Sequence, residues 1–164
     1  MTAPILLFGY GNPSRGDDAL GPELLHRIEA KQIHGIETLT DFQLQVEHAL
    51  DLRGRELVLF VDASVNAPPP FQFSRLEPER DQSYSTHAIS PAAVLAVYPQ
   101  VCPDPPPPCY LLAIRGEAFE LGQPLSPAAE AHLAAALDFL AELLQAPAAP
   151  AWNRRTAKAS HLIN

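Results

Sequence analysis

Short apolar runs alternate along the chain with segments rich in turn formers. Residues 4–10 (PILLFGY) are an apolar run closing on Gly9 and Tyr10, which predicts a buried strand. Residues 11–18 (GNPSRGDD) read as a loop. Over residues 19–33, Leu20, Leu24, Leu25 and Ile28 fall on one helical face, and Gly35 ends the helix. Residues 36–39 predict a short second strand. Residues 43–52, with Leu44, Ala49 and Leu52, predict a second helix that Glu47 helps to set up. Residues 56–63 (ELVLFVDA) are the strongest strand, apolar on both faces, as the centre of a mostly parallel sheet requires.

The second half continues the pattern. Residues 71–76 (FQFSRL) alternate and predict an edge strand. Residues 90–98 predict a short helix with Pro91 in its first position, where a missing N–H costs nothing. Residues 103–108 hold five prolines and one aspartate, a stiff surface loop. Residues 109–114 (CYLLAI) predict another buried strand. Residues 126–145 predict a long helix with Ser126 as N-cap, Pro127 at N1, and Leu133, Leu137, Leu140 and Leu144 along one side. Residues 147–164 are Ala/Pro-rich, then basic and polar, and are expected to fray as a tail. No internal repeat interrupts this order. The expectation is one α/β domain over residues 1–146: a three-layer α/β/α arrangement whose twisted, mostly parallel sheet has about five strands flanked by helices.

Composition narrows the possibilities. With 164 residues, 47% of them apolar and 18% charged, the chain can bury a real core, which excludes disorder throughout. Eleven basic against 19 acidic residues give a net charge of -8, and no basic cluster offsets it, so a nucleic-acid partner is not expected. The longest apolar run is far short of a membrane span. No basic segment precedes the first strand, so no signal peptide is expected, and the expected setting is a cytoplasmic monomer. Two cysteines, Cys102 and Cys109, make neither a disulfide scaffold nor a Cys-rich zinc site.

In open α/β sheets ligands bind beyond the carboxyl ends of the strands. Three segments put polar side chains there: residues 9–18, residues 62–64 (DAS) and residues 85–87 (STH). The first is not a nucleotide loop. Four residues separate Gly11 from Gly16 where a dinucleotide fingerprint needs two, and no Gly-Lys-Ser/Thr triplet exists. Asp17 and Asp18 would repel a phosphate, whereas they suit a helix N-terminus or a cation. Asp62 is the only charge in the nine residues from Leu57 to Val65. Each residue has an ordinary reading: a helix cap for Asp17 and Asp18, an acid satisfied by loop amides for Asp62, a plain loop histidine for His87. Taken together, two carboxylates and one imidazole suit a divalent transition metal such as nickel, zinc or copper, with positions left open. His26, His48 and His132 fall on predicted helices and are expected at the surface, with His34 in a turn and His161 in the tail. No serine lies in a Gly-x-Ser-x-Gly elbow. Gln43 and Gln45 are candidates to line the cleft.

A strand running into residues 9–22 (GYGNPSRGDDALGP), then residues 57–64 (LVLFVDAS), then residues 85–87 before a short helix, resembles the hydrogenase maturation endopeptidases. The similarity in order and spacing covers roughly residues 4–145. The resemblance implies a twisted five-stranded sheet between helices and a nickel-binding triad of two acids and a histidine. Carried over, the triad is Asp18, Asp62 and His87, with Asn12 and Asp17 in support. It implies an endopeptidase, historically classed as aspartic-type, that trims the C-terminal extension from the large-subunit precursor of a nickel-iron hydrogenase. The nickel belongs to that precursor, and the isolated protein is expected to be largely free of it. The sequence departs from some members at residues 41–45 (DFQLQ), where many carry a glycine-rich stretch that bears on specificity. His87 precedes Ser90-Pro91, whereas in some members the histidine follows such a pair.

Two other functions fit the same residues. A metal-dependent amidase or aminopeptidase acting on small substrates would hold its own metal at about one equivalent. A non-catalytic nickel-delivery or scaffold protein would bind the precursor and leave its length unchanged.

Overall fold

The computed structural model describes residues 2–79 and 89–157. Five strands form one sheet: β1 (Ile5–Tyr10), β2 (Ile36–Asp41), β3 (Leu57–Ser64), β4 (Phe71–Arg75) and β5 (Cys109–Arg115). Their spatial order is β2-β1-β3-β5-β4. All neighbours pair in parallel except β4, which lies antiparallel on β5 at the edge. The helices are α1 (Leu20–Glu29), α2 (Pro91–Val101), α3 (Pro127–Gln145) and α4 (Ala149–Asn153).

The alternation of side chains along the strands makes the three layers. Leu7, Leu59, Val61, Leu112 and Ile114 pack on one face with α1 and α3. Leu6, Phe8, Val58, Phe60 and Cys109 pack on the other with α2 and a 3-10 segment, Val46–Leu52. β3 is therefore covered on both sides, and its first five residues are all buried. The expected five-stranded α/β/α fold is the one observed. Both Ser126 and Ser90 accept a hydrogen bond from a backbone N–H in the first turn of their helices, ahead of a first-turn proline, as the sequence signals require.

Three elements differ from expectation. Where a second helix was expected over residues 43–52, only Val46–Leu52 is helical, and it is a 3-10 segment. β2 runs two residues past Leu39 because Thr40 and Asp41 continue to pair with Gly9 and Tyr10. The segment after Pro147, expected to be a frayed tail, instead packs through residue 157. Trp152 is fully buried; its Nε1–H donates at 2.9 Å to the Leu143 carbonyl, an acceptor in the last turn of α3 that also takes the Ala146 N–H. Its ring meets Tyr110 and Phe73 edge-on, at centroid distances of 5.2 and 6.2 Å. The Ala157 N–H then donates to the Phe73 carbonyl at 2.9 Å. One tryptophan buries enough apolar surface to outweigh an otherwise tail-like composition. Cys102 and Cys109 are both buried free thiols.

Candidate active site

The chain leaves β1 for β2 on one side, and β3 lies on the other. The crevice between the carboxyl ends of β1 and β3 is thus the point where the winding reverses, the preferred ligand site of such sheets. The register pairs Gly9 with Val61, so Tyr10 and Asp62 follow side by side at the carboxyl edge. Both are on the α2 face, in line with Phe8 and Phe60.

Asp18 is brought to this point by two glycines. A Cβ on Gly21 would lie 2.6 Å from the Val61 carbonyl oxygen, and one on Gly9 would lie 2.7 Å from that of Gly21. Only the bare backbone allows the first turn of α1 to rest on the ends of β1 and β3. The residues before α1, a short 3-10 turn Gly16–Ala19, are held over the same strand ends. The loop then winds around Asp18. The Asn12 N–H donates to Asp18 Oδ2 at 2.7 Å, and Gly11, at φ 145°, passes so close that a Cβ would collide with the Asp18 carbonyl. The Asn12 side chain accepts from the Ser14 N–H at 2.9 Å, which closes the turn.

Asp62 has an unusual environment. Burial pushes its carboxyl up to about 7; hydrogen bonds from the Ala63 N–H and the Tyr10 hydroxyl oppose this, and the charge of Asp18 adds to it. The charge of Asp18 is thus within electrostatic reach of Asp62. The Tyr10 hydroxyl is raised well above its ordinary value by burial, then by the charge and hydrogen bond of Asp62. Two neighbouring acids of which one stays protonated near neutral pH can serve as an acid–base pair, or can shed the proton and hold a cation.

Asp17 has a different task. It is fully buried and does not cap α1. Its carboxylate accepts from the backbone N–H groups of Glu117, Ala118 and Ser126 at 2.8, 3.0 and 2.7 Å, and from the Ser126 hydroxyl at 2.8 Å. Burial alone would raise this carboxyl, but the hydrogen bonds from Ser126, Glu117 and Ala118 outweigh it and the net shift is downward. Asp17 fastens the glycine loop to the segment between β5 and α3. These contacts are long-range, reaching from residue 17 to residues 117–126.

His87, with Ser85 and Thr86, lies outside the described residues. Among the described residues, no group of three or more His, Cys, Asp or Glu side chains is gathered closely enough to hold a metal ion. His48, expected at the surface, is half-buried: its ring stands edge-on to Phe8 at 4.7 Å. Its Nδ1 accepts from the Gln45 N–H at 2.8 Å and its Nε2 lies 3.2 Å from Asp41 Oδ2, so both ring nitrogens are engaged. His132 meets the Arg115 carbonyl at 3.1 Å. Gln45 is exposed at its side chain and serves the 3-10 segment through its backbone. Tyr10 is the site residue that the sequence pattern missed. The sequence shows only a tyrosine ending a buried strand; its place beside Asp62 comes from the pairing of β1 with β3.

No family model and no curated protein matches the sequence. Solved structures do. The hydrogenase maturating endopeptidase HybD from E. coli is 26% identical with a TM-score of 0.64, over 86% of this chain and 92% of that one. The [NiFe] hydrogenase maturation protease HycI from Thermococcus kodakarensis KOD1 is 20% identical with a TM-score of 0.65, over 87% and 93%. A hydrogenase 2 maturation peptidase from Thaumarchaeota archaeon SCGC_AB-539-E09 is 21% identical with a TM-score of 0.62, over 85% and 97%. In fold the chain is similar to these hydrogenase maturation endopeptidases over most of its length. The resemblance carried by the glycine-asparagine loop and the strand-terminal aspartate is matched by the architecture along most of the chain.

Proposed function

We propose that this protein is an endopeptidase that removes the C-terminal extension from the nickel-loaded large subunit of a nickel-iron hydrogenase. The observation that carries the reading is the meeting of Asp18 and Asp62 at the β1/β3 crevice, on the fold shared with the maturation endopeptidases. Asp18, Asp62 and His87 are the proposed ligands for the nickel of the precursor. A cation docked there favours the ionised form of Asp62, so binding the loaded precursor releases the proton that the empty pocket retains. Loss of metal removes that contact, which makes metal loading the signal for cleavage. The nickel then polarises the scissile peptide or orients an attacking water, with a carboxylate as base. Asp17 and Asn12 keep the loop in shape and take no part in bond making. Among the described residues no helix is long and apolar enough to cross a membrane.

The test is incubation with nickel-loaded and nickel-free precursor, followed by mass measurement of the large subunit. Loss of a short C-terminal peptide from the loaded form alone is the expected result. Equal processing of both forms would remove metal as the signal. Binding without any change in length would favour a delivery protein.

A further inference from the structure

The sheet has two edges, and the chain treats them differently. At β4 the Ala157 N–H donates to the Phe73 carbonyl at 2.9 Å, and Trp152 of α4 packs on the Phe73 ring. β2 is the other edge and pairs only with β1. The Gly35 and Asp41 carbonyls turn inward, accepting from the Ile5 and Gly11 N–H groups at 3.1 and 3.0 Å. By the alternation of a parallel ladder, the N–H and C=O groups of Ile36, Thr38 and Thr40 turn outward. Among the described residues none of these groups has a hydrogen-bond partner. Natural sheets guard such an edge with lysine, proline or a bulge. β2 (IETLTD) contains neither lysine nor proline, and its pairing with β1 runs without a break. Its first acid, Glu37, is tied to Arg55 at 2.7 Å.

The same edge borders a hollow. Pro13, Pro22, Glu23, His26, Glu29 and Thr40 line a space of about 320 Å³ between α1 and the end of β2. Thr38 is on this face as well, its hydroxyl donating to Glu29 at 2.6 Å. Glu23 is paired with Arg27 at 3.1 Å, whereas Glu29 forms no ion pair among the described residues. A strand added to β2 turns alternate side chains toward this acidic hollow. Past Asp41, Phe42 is 65% exposed and offers an apolar contact where an added strand leaves the edge. Three strand spacings of about 4.8 Å separate such a strand from β3, a gap that about four to five extended residues cross.

We propose that the outer edge of β2 binds the precursor as an added strand. An extended segment beside the cleaved bond pairs with Thr38 and Thr40, a basic side chain of that segment faces Glu29, and the reacting end crosses to Asp18 and Asp62. This rests on the proposed function, which supplies the precursor. Main-chain pairing provides the grip, and the charge of Glu29 provides the choice of side chain.

The test uses the full chain and nickel-loaded precursor. Amide hydrogen exchange is the first readout: the Thr38 and Thr40 N–H groups should exchange at least about tenfold more slowly with precursor bound. The second is Thr40→Pro, which removes one outward donor. The pairing with Gly9 runs through the backbone of Leu39 and Asp41 and is kept. KM for the precursor should rise at least about tenfold, with little change in kcat. The third is Glu29→Lys, at an exposed position. It should raise KM by a similar factor, and changing the basic residues near the cleaved bond of the precursor to glutamate should restore it. Unchanged exchange at Thr38 and Thr40 with precursor bound overturns the proposal. So does an unaltered KM in both variants. A wild-type dimer that Thr40→Pro dissolves, seen by sedimentation, gives the edge to a second copy and overturns it too. If Thr40→Pro does not fold, the exchange data and Glu29→Lys decide. A wild-type protein that leaves loaded precursor uncut defeats the proposed function instead, and exchange at Thr38 and Thr40 in the presence of precursor still decides whether the edge is used.

Discussion

The carboxylate of Asp17 takes both the backbone N–H and the hydroxyl of Ser126, at 2.7 and 2.8 Å, across 109 positions of sequence. Ser126 is at the same time the N-cap of α3, its hydroxyl oxygen accepting from the Ala129 N–H at 3.1 Å. One buried acid thus joins the loop that carries Asp18 to the start of the longest helix. The adjacent acids divide the work: Asp17 faces inward and holds the loop, and Asp18 sits at the crevice.

From this follows a sharp contrast between neighbours. Asp17→Ala removes a fully buried carboxylate and leaves the partly buried N–H groups of Glu117, Ala118 and Ser126 without their acceptor. The expected loss is about 3–5 kcal/mol, read from chemical denaturation. Asp18→Asn gives up a charge at a half-buried position and should cost less than about 1 kcal/mol. Because the Asp17 carboxyl is lowered in the folded state, its contribution is complete above the unfolded value near 4 and fades as pH falls through the folded value. The Asp17→Ala penalty should therefore shrink in acid. Equal penalties for the two substitutions would contradict the division of roles.

Asp62 has the opposite sign. The folded protein keeps its proton up to about pH 7, while an unfolded aspartate releases it near pH 4. Between those values the native state binds more protons, so this residue erodes stability as pH rises, and the cost is full above pH 7. Asp62→Asn removes the dependence. Its stability relative to wild type should rise by about 3 kcal/mol between pH 4.5 and pH 8, several degrees of Tm, while processing of precursor is lost. Thermal melts of both proteins at the two pH values decide it. A variant that unfolds at both would make Asp62 a structural acid.

The sheet, its edge strand and the two acids were legible because each rests on local chemistry. Apolar runs of strand length, a proline after a serine cap, and a lone charge ending a buried run carry their own explanation in the sequence. What was hidden depends on contacts between distant segments. The alternation that puts Tyr10 beside Asp62 is visible only once Gly9 is known to pair with Val61. The inward turn of Asp17 needs the residue 117–126 segment, and the half-buried His48 needs Phe8. The proposed histidine ligand, His87, falls outside the described residues, so the acids alone are placed.

Two glycines also make a prediction about position. Gly21→Ala puts a methyl group 2.6 Å from the Val61 carbonyl oxygen, which is backbone of the central strand and cannot swing aside. α1 must lift away from the strand ends, and the 3-10 turn carrying Asp18 lifts with it. Overpacking of this kind costs about 1–3 kcal/mol. The separate expectation is loss of the electrostatic communication between the acids: in Gly21→Ala the Asp62 carboxyl should titrate lower than in wild type, since the charge of Asp18 is one of the influences raising it. Carbon NMR of the labelled aspartates reads this directly. An unchanged Asp62 titration in a folded Gly21→Ala protein would show that Asp18 is not held there by the contact of α1 with β3.

The segment that carries α4 offers a test of how far the folded unit extends beyond α3. Trp152 touches Tyr110 and Phe73, and Tyr110 in turn donates its hydroxyl to Asn153 Oδ1 at 2.7 Å, so α4 closes the open side of β4 and β5. Phe73 and Phe139 lie edge-on at 5.2 Å beneath it, which makes the aromatic cluster continuous with α3. Trp152→Ala should open a cavity at this corner and cost about 3–5 kcal/mol. Ending the chain after residue 146 should cost at least as much, because it also takes the Ala157 N–H away from the Phe73 carbonyl. Thermal unfolding of the two proteins beside the wild type separates the cases. A chain cut at residue 146 that melts with the wild type would return the segment to the status of a tail.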